Sequence, residues 1–194
     1  MTTSQRTFLT SLLRAIPLVF VSLYASLMVT GCQSSTSLPP IRTEAQVDLE
    51  RFMGDWYVIA AIPTFIEKES YNAVETYELL PDNRIATTFS FNKGGFDGPL
   101  KSYNPVGFVR DDPSNAIWGM QFIWPIKAEY RVVYVDAAYT TTIIGRTKRD
   151  YVWIMARTPF LPEDDYLALL EIVSNEGYDL TKLRKVPHQR SANP

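Results

Sequence analysis

Cys32 and His188 are the only thiol and the only imidazole in the chain, and either could in principle support nucleophilic, metal or acid–base chemistry. One of each cannot build a His/Cys metal cluster. His188 lies in the polar C-terminal stretch RKVPHQRSANP, where a solvated side chain is expected rather than the base of a nucleophile triad. Glu75 and Asp150 are carboxylates that could share acid–base work, but nothing in the sequence fixes their separation. No Gly-x-Gly-x-x-Gly stretch or phosphate loop is present. The expectation is therefore no catalytic residue, no metal ligand, no cofactor and no enzymatic activity. A formal charge of −2 gives no electrostatic footprint for nucleic acid.

The position of Cys32 matters more than its reactivity. Upstream of it, MTTSQRTFLTSLLRAIPLVFVSLYASLMVTG carries Arg6 and Arg14, no acidic residue, and an uncharged apolar run over 15–31 that ends in small residues. That order describes a secretory signal peptide over 1–31. The apolar run falls short of the ~20 residues a spanning helix needs, and Pro17 near its start shortens any helix further. Val29-Thr30-Gly31-Cys32 resembles the lipobox of bacterial lipoproteins, although Val29 stands where Leu is more usual. The resemblance implies that Cys32 becomes the lipid-modified first residue of the mature chain. Gln33 rather than Asp follows it, which by the same resemblance implies the outer membrane, facing the periplasm. Several acyl chains on one residue exceed the two signals that stable attachment requires. The Ser- and Pro-rich QSSTSLPPIRT then reads as a tether, giving a lipidated and flexible segment over 32–46.

From residue 54 the chain breaks into short β-rich runs over 56–62, 72–79, 85–92, 101–110, 116–124, 130–135, 139–144 and 150–157. Turn residues separate them: Pro81-Asp82-Asn83, Gly94-Gly95, the 111–115 stretch and Gly145. Eight strands close into an antiparallel up-and-down barrel wide enough for one small ligand. The period then changes. LPEDDYLALLEIVSNEG places Pro162 at a first helical position, three acids in the first turn and Gly177 past the end. Tyr166, Leu169, Leu170 and Val173 form its apolar stripe, so one C-terminal α-helix is expected outside the barrel. The fold class is all-β with that single helix.

Two motifs carry a family likeness. Gly54-Asp55-Trp56-Tyr57, preceded by VDLERF, resembles the opening motif of lipocalins, a helical turn leading into Gly-x-Trp on the first strand. About a hundred residues on, RDYVWIMARTP resembles the last strand of bacterial lipocalins and the apolipoprotein D group. The resemblance covers 47–186, leaving 187–194 as a tail. It implies that Trp56 plugs one end of the barrel with Arg157 stacked on it, Gly54 completing the signature.

The resemblance also implies long-chain lipid ligands, namely fatty acids, lysophospholipids or similar membrane products. Alternation on the last strand puts Tyr151, Trp153, Met155 and Arg157 on one face and Val152, Ile154 and Ala156 on the other. Bulky rings suit the lumen and small aliphatics suit the helix side. The lumen candidates are Tyr77, Trp118, Met120, Phe122, Tyr130, Val132, Tyr134, Trp153 and Met155, an aromatic and adaptable lining. Glu75 joins them when its strand is aligned with the family, which usually carries a small apolar residue there. Alternation alone leaves a solvated rim position open for Glu75, and the rim is the safer of the two. The expected role is a membrane-tethered lipid carrier. A structural lipoprotein that binds another envelope protein through its outer surface stays open, as does the choice between monomer and homodimer.

Overall fold

The computed structural model describes residues 38–189, so the signal segment and Cys32 lie outside the described residues. A short helix α1 (Leu49–Phe52) precedes the strands β1 (Gly54–Ile62), β2 (Ser70–Leu79) and β3 (Arg84–Lys93). The chain continues through β4 (Leu100–Tyr103), β5 (Val106–Val109), β6 (Ile117–Ile123) and β7 (Ile126–Val135). After β8 (Thr141–Gly145) and β9 (Val152–Ala156) come helix α2 (Glu163–Asn175) and a two-residue strand β10 (Arg184–Lys185). The strands pair antiparallel in the order β1-β2-β3-β5-β6-β7-β8-β9, with β4 also on β3 and β10 on β1, and β9 returns to β1 through Tyr57↔Ala156 and Ile62↔Val152. The barrel is closed.

The strand expected over 101–110 is split at Asn104-Pro105, where proline has no N–H to give the ladder. Both halves keep one register against β3: Phe89 faces Tyr103 and Ala86 faces Val106. With β4 and β5 counted as one interrupted strand and the two-residue β10 set apart, the barrel has the eight strands that the turn residues predicted.

Two cores follow from the alternation of side chains. Inside the barrel, Trp56, Tyr77, Trp118, Val132 and Met155 belong to one buried cluster. Outside it, Val152, Ile154 and Ala156 of β9 pack under Tyr166, Leu169 and Val173 of α2. Pro162 caps α2 rather than opening it, and Gly177 (φ +83°) follows the last turn. There the Tyr178 N–H bonds to the Val173 carbonyl and the Gly177 N–H to the Ser174 carbonyl, which satisfies the helix end. The turn points Tyr178 inward, where its hydroxyl accepts from the Arg146 N–H and donates to the Arg146 carbonyl. Gly145, read as a turn residue, is instead the end of β8. A Cβ there would lie 2.4 Å from the Tyr178 hydroxyl, so close approach is what requires glycine.

Four further expectations are corrected. Of the tether placed over 32–46, residues 39–46 lie against the barrel, with Ile41 buried and the Glu44 N–H bonded to the Val132 carbonyl. His188 is not solvated: its Nε2 is 2.8 Å from the Val58 carbonyl and its ring packs edge-on to Tyr57. Burial lowers its pKa. The tail beyond 186 is likewise stitched down through Asn72, whose N–H donates to the Pro187 carbonyl and whose side chain accepts from the Gln189 N–H. Finally, Tyr134 belongs to the outer cluster rather than the lumen. Register shifts between Val132 and Tyr134, so the extra residue sends both Val133 and Tyr134 outward and turns Val135 in.

One end of the barrel is sealed. The Trp56 ring lies 3.8 Å beneath the Arg157 guanidinium, and its indole N–H donates to the Phe52 carbonyl. Arg157 spreads its own donors over the carbonyls of Arg51, Phe52 and Met53 at the end of α1, and over those of Asp55 and Tyr139. Gly54 (φ +91°) makes the turn into β1 directly under this guanidinium. Trp56→Ala should cost about 3–5 kcal/mol of folding stability, and Arg157→Ala about 2–3 kcal/mol through its charge-assisted bonds. A double-mutant cycle by urea denaturation should show coupling of about 1 kcal/mol. Additive losses would mean the stack contributes nothing.

Candidate functional site

Above the Trp56 plug the lower barrel is solid. Phe52 packs edge-on to Trp118 with centroids 5.5 Å apart, and Trp118 stacks on Tyr130 at 5.0 Å with planes 6° apart. Tyr77 meets both rings edge-on. Of the residues read as lumen lining, Tyr77, Trp118, Val132 and Met155 therefore fill this floor. The upper half is hollow. A cavity of about 270 Å³ opens toward the end away from the plug, and Met120, Phe122, Tyr130, Trp153 and Glu75 all line it. Phe122 sits at its rim, 53% exposed.

Glu75 is the largest correction to the sequence reading. It is buried rather than on a solvated rim, because β2 pairs it with Trp56 at the level of the plug. The Tyr77 hydroxyl donates to Glu75 Oε2 and lies 2.6 Å from the Tyr130 hydroxyl, so two phenols and one carboxyl form a chain across the cavity floor. Burial pushes the Glu75 carboxyl up to about 7; the charge of Glu67 adds to the rise and the Tyr77 bond opposes it. The same burial holds both phenols neutral, well above the usual tyrosine range.

Sequence reasoning missed Glu67, Ile66, Thr87 and Phe89, which also line the cavity. Thr87 and Phe89 share a face with Ile85 and Phe91, a clean two-residue alternation along β3. That signal was present. Glu67 gave none, since it lies in the β1–β2 loop where side-chain direction has no period. It is buried, accepting the Thr64 N–H at 2.8 Å and the Trp153 indole N–H at 3.2 Å, and Arg184 donates to its backbone carbonyl. Burial raises its pKa as well. The loop is thus pinned over the cavity by a carboxylate and a lining tryptophan. The Glu75–Asp150 pair does not form a couple: the charge acting on Glu75 is Glu67, whereas Asp150 pairs with Arg146 at 3.5 Å.

A raised carboxyl pKa has a signed consequence for stability. In the unfolded chain Glu75 ionises near 4.5, while in the barrel it stays neutral until about pH 7. The buried neutral form carries no penalty below pH 4.5, and stability falls as pH rises through 7. Glu75→Gln removes that loss. Its stability relative to wild type should climb by up to about 3 kcal/mol between about pH 4 and pH 8, read by urea denaturation across the range. A difference that stays flat would show that Glu75 ionises normally.

The family model described as a lipocalin-like domain matches residues 47–188. Temperature-induced lipocalin-1 of Arabidopsis thaliana is 35% identical over 153 residues, covering 73% of this chain and 79% of its own. The outer membrane lipoprotein Blc of Citrobacter freundii is 28% identical over 181 residues, covering 88% of this chain and 96% of its own. Among solved structures, insecticyanin from the tobacco hornworm Manduca sexta superposes with a TM-score of 0.63 at 15% identity, covering 79% of this chain and 87% of that one. A barrel plugged by Trp56 and Arg157, hollow at its other end and matched along nearly all its described length, belongs to the lipocalin-like family.

Proposed function

We propose that the protein is a lipid-tethered carrier that stores or transports fatty acids, lysophospholipids or similar lipids at the outer membrane, facing the periplasm. The observation that carries this reading is the hollow upper barrel, an apolar cavity of about 270 Å³ open at one end and closed by aromatic rings at the other. Binding would be burial of a hydrocarbon chain in a preformed pocket. At ~0.8 kcal/mol per methylene, about a dozen buried carbons give ~10 kcal/mol gross, which association costs reduce to the micromolar range. No step of this mechanism requires bond making, and a binding rather than catalytic role follows.

Two features support a membrane setting. The described chain begins at the open end, where Arg149 donates to the Pro39 carbonyl beside the β8–β9 loop. Cys32 precedes Pro39 by few residues, a stretch that spans at most about 25 Å, so a lipid on Cys32 would keep the mouth near the bilayer. The mouth itself is greasy: Phe65 on the β1–β2 loop and Trp124 at the β6–β7 turn are 81% and 82% exposed, flanked by exposed Ile123 and Ile126. Lys68, Lys93, Lys101 and Lys127 stand on the same loops and strand ends, exposed, a charge pattern suited to an anionic surface.

Trp153→Ala should weaken binding of a fluorescent fatty-acid probe by roughly tenfold while leaving the domain folded. Trp118→Ala, in the solid floor, should instead act chiefly by lowering stability. Unchanged affinity in Trp153→Ala would remove the cavity from the binding role. Cys32→Ser should abolish palmitate labelling and release the protein from the outer-membrane fraction without shifting its melting temperature. A mutant that still carries label in that fraction would contradict the tether.

A further inference from the structure

The lining of the cavity carries a pattern of acidic groups that a simple acyl chain does not explain. Glu67, Glu75 and Glu129 all line the cavity, and among the described residues no lysine, arginine or histidine does. Two of the three are satisfied. Glu67 has a bond on each oxygen, and Glu129 is held by Arg131 at 2.9 Å and by the Thr147 hydroxyl. Glu75 differs. Its Oε2 accepts from Tyr77, whereas no described residue donates to its Oε1, and the side chain lines the cavity. A carboxyl oxygen at a cavity wall with no protein donor is free to accept a hydrogen bond from a guest.

A fatty acid entering tail-first would place its methyl end against this oxygen and leave it unpaired. Entering head-first, it would bring its carboxylate to a floor that already holds an acidic side chain and, among the described residues, no cation. From a Glu75 Oε1 that no described residue donates to, and from a lining without a cation among the described residues, we infer that the cavity selects an apolar ligand whose inward end carries a protonated amine. The ammonium group donates to Glu75 Oε1, the Tyr130 ring borders it, and Met120, Phe89 and Trp153 enclose the hydrocarbon. This rests on the carrier reading above and narrows its ligand class from lipids in general to long-chain or otherwise apolar amines.

Three probes of equal chain length separate the alternatives: dodecylamine, dodecanol and laurate, each titrated below its micelle-forming concentration near neutral pH and read by calorimetry. Wild type should bind dodecylamine roughly tenfold or more tighter than the other two. Glu75→Gln, close to isosteric, should erase that preference, while Glu171→Gln, on the exposed face of α2, should keep it. Laurate or dodecanol equalling dodecylamine in the wild-type protein would overturn the inference without involving any variant, and so would a preference that survives in Glu75→Gln. Failure of all three probes to bind would overturn the carrier reading and the amine assignment together, which distinguishes it from the first two results.

Discussion

The contact between Arg157 and Trp56 decides which end of this barrel is a floor and which is a mouth. A closed eight-stranded sheet has two openings, and an unfilled one admits water to the inner faces of every strand. Here one guanidinium covers the indole at 3.8 Å and gathers carbonyls from α1, the start of β1 and the β7–β8 turn. Three separate segments are thereby fixed around one side chain. Lysine could not do this, since the arrangement needs a planar fork with several donors and a face to stack. Above the plug, Phe52, Trp118, Tyr77 and Tyr130 fill the barrel ring upon ring, and the hollow begins only where those rings stop.

The hollow half is organised around groups that a stability-optimised core would omit. Glu75 sits where an apolar residue would cost nothing, and burial holds its carboxyl near neutrality. The Tyr77 hydroxyl, itself bonded to that of Tyr130, donates to one of its oxygens, and the side chain lines the cavity. Glu67 pins the β1–β2 loop by bonding the Trp153 indole, so the wall of the cavity and the loop at its mouth share one contact. A ligand that moves Trp153 would be felt by the loop. Partly satisfied polar groups in a dry interior are a common mark of a site kept for binding rather than for folding.

The strand count, the outer helix and the plug were all legible, because turn residues, a change of period and a Gly-x-Trp motif are local signals. What failed was information held in register. The bulge at Val133 reverses the alternation on β7, so Tyr134 went to the wrong face while Val132 did not. The depth of Glu75 depends on its pairing with Trp56 across the sheet, which no pattern within one strand reveals. Asn72, with φ at +50°, turns its N–H toward Pro187, and this long-range bond is why His188 is docked rather than solvated. Glu67 lay in a loop with no periodicity to read. Thr87 and Phe89 could have been found, since β3 alternates cleanly and only the choice of face needed the barrel.

The central claim is that the hollow upper barrel holds one apolar guest per chain. Native mass spectrometry of the protein purified from its own cell envelope tests it most directly. The account predicts a population of chains carrying a single non-covalent adduct of lipid-like mass, released intact at moderate collision energy and identifiable by its fragmentation. A protein that emerges wholly free of adduct, and that stays free after incubation with the total lipid extract of the same cells, would contradict it.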